Sequence, residues 1–464
     1  MNAHSEDARI SATLADFALK LRIDDVPSVV RERARHLILD GIGLAFATST
    51  FDYAGVTLAA MRDLGEGKAT VFGRSGKLAL RDAMLLNGLL VHGLDFDDTH
   101  SRGVIHSTAS ALPCAFGLAE REQTSGADML AAYVVAMEVS TRVGSVAQSG
   151  FHKVGFHPTG LVGAFGCSLA AARLLGLSQG AAMHAQGIVL SMCAGSLEFL
   201  EDGAWTKRLH PGWAASSGTT AATLAKHGYI GPEAAYEGRY GLYSLYLANG
   251  ATPDLSIATA GLGDTWEIEQ VALKPIPACH FTHAASDAAI ALFREHGLAA
   301  DAIEKVVVRV PGPVVDVVCE PVANKKHPAN SYDAQFSIPY IVATGLLKGR
   351  FTLDDLDAAA LADPAVLSLT KRVDYEVDTE TTFPRHYTGE VIVHTRDGRR
   401  LAHREAINRG SADRPMTNDG IVEKFYENAL RVVSRERADQ VRDAVLGLEQ
   451  TSVATLADIL RQPD

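Results

Sequence analysis

Cysteine is scarce in this sequence, and its few copies are not arranged for pairing or for holding a metal. The chain has 464 residues and five cysteines, and no two of them form a CxxC pair. Disulfide-stapled secreted domains are short and carry an even number of cysteines at regular spacings. We therefore expect free thiols in a reducing compartment, and a cytoplasmic protein.

An excess of positive charge is also lacking. The chain carries 43 lysines and arginines against 55 aspartates and glutamates, which gives a formal net charge of -12. A protein that binds nucleic acid or an anionic membrane surface usually shows a basic excess or a basic stripe. We expect neither partner. An acidic chain that binds an acidic small molecule needs a local group of cations instead.

Long hydrophobic runs and familiar catalytic signatures are missing as well. The most apolar stretch, 161–177, contains Arg173 and many small residues, which favours a buried helix over a membrane span. The sequence has no GxxxxGK[ST] loop, no GxGxxG after a strand, no HExxH and no GxSxG. The nucleotide-binding, zinc-protease and serine-hydrolase chemistry that these motifs carry is therefore not indicated.

What is present in the first half is helical spacing of alanine and leucine. Pro27, two residues after Asp25, predicts the start of a helix that continues to about residue 47. Further helices are predicted at 80–94, 108–120, 127–146, 158–175, 179–191 and 212–227.

The pattern changes near residue 265. Strands are predicted at 266–273 and 305–315, and a hairpin at 389–395 and 399–407 around an Asp-Gly turn, with helices at 282–295 and 334–347 between them. After about 409 the pattern is helical again. The sequence thus predicts a mainly α protein: a large all-helical domain formed by 1–265 and 408–464, and an inserted, smaller α+β lid domain at 266–407. The cleft between two such domains is the expected binding site.

Two segments of the helical half place titratable side chains beside helix ends. The run LDFDDTH at 94–100, followed by His106, has three carboxylates in four residues. It fits a hard-metal site, a histidine base oriented by carboxylates, or an acidic surface turn. In FHPTG, His157 precedes Pro158, which predicts a helix start whose N–H groups attract anions and keep an imidazole neutral. A simple capping histidine fits that segment equally well.

Cations concentrate in two further segments. In WTKRLHPGW at 205–213, Lys207, Arg208 and His210 precede a helix predicted to start at Pro211, where they would bind carboxylates. The flanking tryptophans argue against the full exposure of a solvated basic turn, since large aromatic side chains usually bury. KPIPACHFTH at 274–283 offers a lysine and two histidines in a hinge-like stretch, or simply a rigid linker.

Together these blocks resemble the MmgE/PrpD family, which includes 2-methylcitrate dehydratase, cis-aconitate decarboxylase and iminodisuccinate epimerase. The matching blocks are DFDDT at 95–99, FHP at 156–158, TKRLHPG at 206–212 and KPIPACHFTH at 274–283. The resemblance implies a helical domain with an α+β lid, a homodimer, and neither a metal nor an organic cofactor. Its decarboxylase members imply pocket residues at Asp95, Thr99, His106, His157, Lys207, Lys274 and Tyr340, to which the same segments add Arg208, His280 and His100.

The resemblance implies a metal-independent lyase that moves a proton at a carbon next to a carboxylate of a small di- or tricarboxylic acid. Lys207 and Lys274 would stabilise the developing charge, and His106 would be the base, with His157 or His100 as the substitute. Asp95 would orient the histidine, Thr99 would bind substrate, and Tyr340 would protonate a leaving hydroxyl or a carbanion.

We rank a 2-methylcitrate-type dehydratase first, a cis-aconitate-type decarboxylase second and an epimerase third, because the family shares one scaffold across these reactions. Two readings from other classes stay open. The acidic run could bind Mg²⁺ or Zn²⁺ in a hydrolase, or the protein could bind carboxylates without catalysis.

Overall fold

A computed structural model describes residues 9–461, and it is mainly α, as the sequence predicts. The chain divides into two compact units. The first unit comprises Met1–Val271 and Thr417–Asp464, and the second comprises Ala272–Met416. The sequence predicts the corresponding domain boundaries at 265/266 and 407/408.

The first unit consists mainly of helices, and those predicted from Pro27 and Pro158 start at these signals. Ser125 and Ser178 cap two of them by accepting backbone N–H bonds. Its helices are Ile10–Lys20, Ser28–Thr48, Asp52–Leu64, Leu80–His92, Thr108–Glu122, Gly126–Val146, Gly150–Lys153, Pro158–Leu174, Gln179–Val189, Phe199–Asp202, Thr206–Lys226, Leu242–Tyr246, Asn418–Ala429, Arg435–Leu446 and Val453–Leu460. It is not all-helical, because two-residue strands lie at Ala69–Thr70, Lys77–Leu78 and Thr99–His100.

The helix Thr206–Lys226 lies at the centre of this unit, and two glycines let it approach its neighbours. A Cβ at Gly212 would lie 2.0 Å from a backbone carbonyl of the helix Leu80–His92. A Cβ at Gly218 would lie 2.7 Å from a carbonyl of the helix Pro158–Leu174. Since real side chains do not tolerate such distances, glycine is required where these three helices cross.

The C-terminal segment completes the same core. The helix Asn418–Ala429 packs on Ser28–Thr48, where Lys424 lies 2.8 Å from Oδ1 of Asp40, and both side chains are buried. The same ammonium donates to the carbonyl of Phe96 at 2.9 Å. This one cation therefore joins the C-terminal segment, an N-terminal helix and the acidic run.

One helix within residues 9–461, Gly126–Val146, is long and apolar enough to cross a membrane, and its most apolar 18 residues are all buried in the fold. The stretch predicted as a buried helix, 161–177, lies largely in Pro158–Leu174, which is also buried. All five cysteines are buried and free.

The second unit is the α+β part. Its four-stranded sheet has the order Val373–Val377, Ile303–Val310, Gly389–Thr395 and Arg400–Glu405, with the first pair parallel and the others antiparallel. Its helices are His283–His296, Val315–Val318, Val322–Lys326, Ser331–Gln335, Ile338–Lys348, Ala358–Leu361 and Pro364–Thr370.

The strand predicted at 266–273 is wrong over most of its length. Glu267–Gln270 is a 3-10 helix, followed by the two-residue strand Val271–Ala272. The backbone turns here because the N–H of Ile268 donates to the buried carboxylate of Glu138 at 3.0 Å, a bond that no local pattern announces. The strand Val373–Val377 was not predicted.

Candidate active site

The acidic run forms the link between the helix Leu80–His92 and the strand Thr99–His100. Within it Asp95 has a left-handed backbone, with φ of 50°, a conformation that aspartate tolerates better than most residues. Its Oδ1 lies 3.0 Å from Nζ of Lys207, and the two side chains are 9% and 14% exposed. The structure therefore pairs two predicted site residues, with Asp95 facing a cation.

Lys207 and its neighbours lie differently from the prediction. The helix starts at Thr206, before Pro211, so the cationic segment occupies its first turns. Pro211 therefore lies inside the helix, in its second turn, where it removes one backbone hydrogen bond. Trp205 and Trp213 are 49% and 44% exposed, so they are only partly covered.

The carboxylate that contacts imidazoles in this run is Asp97. Its Oδ2 accepts from Nδ1 of His92 at 2.8 Å, and its Oδ1 lies 3.6 Å from Nδ1 of His106. His92 and Asp97 are both buried. The carboxylate predicted to orient the histidine base was Asp95. His92 was not predicted as a site residue, because it ends an apolar helix and belongs to none of the four sequence blocks.

Four imidazoles lie together at this point: His92, His106, His157 and His210, here called the histidine cluster. Ring centroids of His92 and His106 are 4.7 Å apart, those of His92 and His157 are 5.7 Å apart, and those of His157 and His210 are 5.2 Å apart. Residues from two helices, one helix N-cap and one loop, far apart in sequence, therefore form one group.

His106 is held from two sides. Its Nδ1 donates to the carbonyl of Asp98 at 2.7 Å, and Thr99 Oγ1 lies 3.5 Å from the same nitrogen. The backbone N–H of His106 donates to Thr159 Oγ1 at 3.1 Å. A carbonyl can only accept, so Nδ1 carries the proton in the neutral ring and Nε2 carries the lone pair. Its side chain is 12% exposed, and the ring is fixed in one tautomer.

His157 caps the helix that Pro158 begins, as predicted. Its Nδ1 lies 3.0 Å from Nδ1 of His210, so one ring donates and the other accepts. Burial, then the nearby His92 and Lys207, lower the pKa of His157 well below its usual value. Burial, followed by the same two neighbours, lowers the pKa of His210 to about 4. Both imidazoles are therefore neutral at physiological pH.

A buried network of side-chain hydrogen bonds holds the loop that contains the acidic run. The carboxyl of Asp98 accepts from Thr108 Oγ1 at 2.5 Å, and that hydroxyl lies 2.7 Å from the hydroxyl of Tyr133. Burial, then the charge of Asp97, raises the pKa of Asp98 to about 7. The loop is thus held by interior bonds, which leave little freedom for the residues that it presents.

Two other candidates of this unit are engaged elsewhere. His100 is buried, its Nε2 lies 2.9 Å from Glu267, and its Nδ1 accepts from the N–H of Gly103 at 3.1 Å. Arg208 donates to the carbonyl of Gly93 at 2.9 Å and lies over the ring of Tyr53 at 4.6 Å. Both ring nitrogens of His100 therefore have partners within the protein.

The remaining candidates lie in the second unit. Tyr340 is fully buried in that unit's apolar core, and its hydroxyl donates to the carbonyl of Asp355 at 2.6 Å. This contradicts its predicted role as a proton donor, because the hydroxyl proton is already held by a structural bond. Lys274 and His280 are buried, and the side-chain N–H of Asn408 lies 2.8 Å from Nε2 of His280.

Comparisons with known proteins identify the family of the chain. The MmgE/PrpD N-terminal domain matches residues 12–254, and the MmgE/PrpD C-terminal domain matches residues 276–450. A cis-aconitate decarboxylase-like protein of Aspergillus oryzae is 29% identical, over 96% of each chain. The cis-aconitate decarboxylase of Mus musculus is 28% identical over 98% of this chain and 94% of its own. That of Homo sapiens is 28% identical over 98% and 95%. The protein is thus a lyase that belongs to the MmgE/PrpD family.

Proposed function

We propose that the protein is a carboxy-lyase that removes CO₂ from a small unsaturated tricarboxylic acid of the cis-aconitate type. The similar decarboxylases favour this reaction, which the sequence analysis ranked second, over the dehydration that it ranked first. The observation that carries the proposal is the position of a largely buried lysine, Lys207, beside a group of held imidazoles.

Decarboxylation needs both a fixed cation, such as a lysine, and a proton donor, such as an imidazole. When the C–C bond to a carboxylate breaks, CO₂ leaves and the electron pair stays on carbon, spread over the adjacent double bond and the carboxylate beyond it. A proton then bonds to carbon, so the reaction consumes one proton for each CO₂ released. A fixed cation stabilises the transient charge, and a positioned acid supplies the proton.

Lys207 is assigned to the charge. It lies in the first turn of Thr206–Lys226, where backbone N–H groups also face anions, and Asp95 holds its ammonium at 3.0 Å. A substrate carboxylate would share this ammonium with Asp95. Removing one such electrostatic contact typically costs 10²–10³ in rate, on the order of 3–4 kcal/mol.

His106 is assigned to the proton. Of the four clustered imidazoles it is fixed by a backbone carbonyl through Nδ1, while 12% of its side chain remains exposed. A bound polyanion would favour proton uptake by the ring, which then transfers the proton to carbon. His92 and His157 pack against His106 and restrict its orientation.

The test is product analysis on a panel of cis-aconitate, 2-methylcitrate, citrate and iminodisuccinate. We expect CO₂ release from cis-aconitate, with one solvent deuteron in the product when the reaction runs in deuterated water. Water loss from 2-methylcitrate without CO₂ would reassign the protein to the dehydratases. Binding of these acids without turnover of any of them would overturn the proposal.

A further inference from the structure

We propose that the histidine cluster is also a binding site for a borderline transition-metal dication such as Zn²⁺, with His92, His106 and His157 as its three protein ligands. This site does not depend on the proposed function, because it rests on the arrangement of the three rings alone. A water molecule or a carboxylate would take the fourth position.

The distances suit such a site. One ring nitrogen from each of His92, His106 and His157 lies within 4.8 Å of the other two. In a tetrahedral zinc site, bonds of about 2.0–2.1 Å place the ligand nitrogens about 3.3 Å apart. The ring nitrogens therefore have to approach one another by about 1.5 Å at most when the ion binds.

Two of the three rings already have the kind of partner that a metal-ligating histidine has, and the third is held by another imidazole. Nδ1 of His92 donates to the Asp97 carboxylate at 2.8 Å, and Nδ1 of His106 donates to a backbone carbonyl at 2.7 Å. Nδ1 of His157 lies 3.0 Å from His210. Metal-bound histidines almost always donate their second N–H to a carboxylate, a carbonyl or water, which fixes the tautomer and aims the lone pair.

One atom of the cluster lacks a partner. Nε2 of His92 is buried and makes no hydrogen bond to any of residues 9–461. Since its Nδ1 donates to Asp97, this Nε2 carries the lone pair of the neutral ring. Buried polar atoms are nearly always satisfied, and a cation at the cluster centre would satisfy this one.

The ligand set selects the class of ion. Imidazole nitrogens suit Zn²⁺, Co²⁺, Ni²⁺ and Cu²⁺ rather than Mg²⁺ or Ca²⁺. A second, oxygen-richer grouping of Asp95, Asp97 and His106 also lies within 4.8 Å. Its carboxylates are engaged by Lys207 and His92, at 3.0 and 2.8 Å, so a hard cation would have to break one ion pair and one buried hydrogen bond.

The metal site overlaps the residue to which the proposed function assigns the proton. An ion on His106 would occupy the ring nitrogen that faces substrate, so Zn²⁺ should inhibit turnover and substrate should weaken the inhibition. This last consequence, unlike the site itself, requires the proposed function to be correct.

The experiment uses the full chain after treatment with a chelator. Titration with Co²⁺ should give the visible absorption of a four-coordinate ion, and calorimetry with Zn²⁺ should give one ion per chain. His92→Ala, His106→Ala and His157→Ala should each abolish the cobalt spectrum. Asp97→Asn, which keeps all three ligands, should weaken zinc binding about 10- to 100-fold.

The matched control is His227→Ala, an exposed histidine just after the helix Thr206–Lys226. It should bind both ions as the unaltered chain does, and circular dichroism should show every variant folded. A featureless cobalt titration, or zinc binding that survives all three ligand variants, would overturn the site. If turnover is found without metal binding, the site fails and the proposed function stands. If metal binds and no acid turns over, the reverse holds.

Discussion

Lys424→Met should destabilise the protein far more than a single lysine usually does. The ammonium lies 2.8 and 3.0 Å from the two oxygens of Asp40, donates to the carbonyl of Phe96 at 2.9 Å, and lies 3.9 Å from the centre of the Phe96 ring. Methionine retains the length and apolar character of the lysine stem but leaves the Asp40 carboxylate buried without its cation.

The magnitude follows from that uncompensated charge. Removing one partner of a buried ion pair costs about 3–5 kcal/mol, whereas exposed pairs contribute about 0–1 kcal/mol. Lys424 and Asp40 are 3% and 2% exposed, so the larger figure applies. The double variant Asp40→Asn, Lys424→Met should recover much of the loss, because it removes the buried charge along with its partner.

The cost should depend on pH. Burial raises the pKa of Asp40 above its usual value, and Lys424 opposes that shift. Without Lys424 the folded-state pKa of Asp40 rises further, so the folded variant holds a proton that its unfolded chain releases. Stability of the variant should therefore fall as pH rises above the unfolded pKa of about 3.9.

Urea denaturation at pH 5 and pH 8 measures both effects. We expect Lys424→Met to lower the free energy of unfolding at each pH, and by more at pH 8. A loss below about 1 kcal/mol at pH 8, or a loss that the added Asp40→Asn deepens, would refute the reasoning that an unpaired buried charge causes it.

Four further outcomes are expected. Lys207→Ala should lower kcat about 100- to 1000-fold, while Lys226→Ala, an exposed lysine on the same helix, should leave kcat unchanged; equal rates in the two variants, both folded by circular dichroism, would remove Lys207 from the site. Tyr340→Phe should cost about 1 kcal/mol in chemical denaturation and leave kcat within about twofold, whereas a large kcat loss would restore its predicted role. Lys274→Ala tests the predicted contribution of the second unit, and a higher KM for a polycarboxylate is the expected result. Exhaustive chelation should leave turnover unchanged, and loss of activity restored by one divalent ion would contradict this.

The fold followed largely from local signals. Helical spacing, with proline at two helix starts, predicted most of the long helices of the first unit, and an Asp-Gly turn predicted the hairpin Gly389–Thr395 and Arg400–Glu405. The signals failed where a distant partner decides the conformation. Ile268 lies in a 3-10 helix and not in the predicted strand, because its N–H donates to the carboxylate of Glu138, 130 positions earlier.

The site was predictable only in part, for the same reason. His106, His157 and Lys207 stood in recognisable segments, and the structure places them near one another. His92 stands in no such segment. It joins the site through its hydrogen bond to Asp97 and through helix crossings that glycine permits, which no local pattern predicts. Tyr340 stood in a plausible segment, yet its surroundings are core, and sequence pattern does not distinguish a hydroxyl held by a carbonyl from one held by substrate.

The contact between Lys424 and the acidic run sets an order for biosynthesis. Thr417–Asp464 leaves the ribosome only after all of Ala272–Met416, although it belongs to the unit formed by Met1–Val271. Until then the face of Ser28–Thr48 that receives Asn418–Ala429 is uncovered, and Asp40 has no cation beside it. The nascent first unit should therefore remain incompletely folded while the second is made, which is the period in which it depends most on chaperones. A premature stop before Thr417 would spare every catalytic candidate and still leave the loop that carries them unsupported.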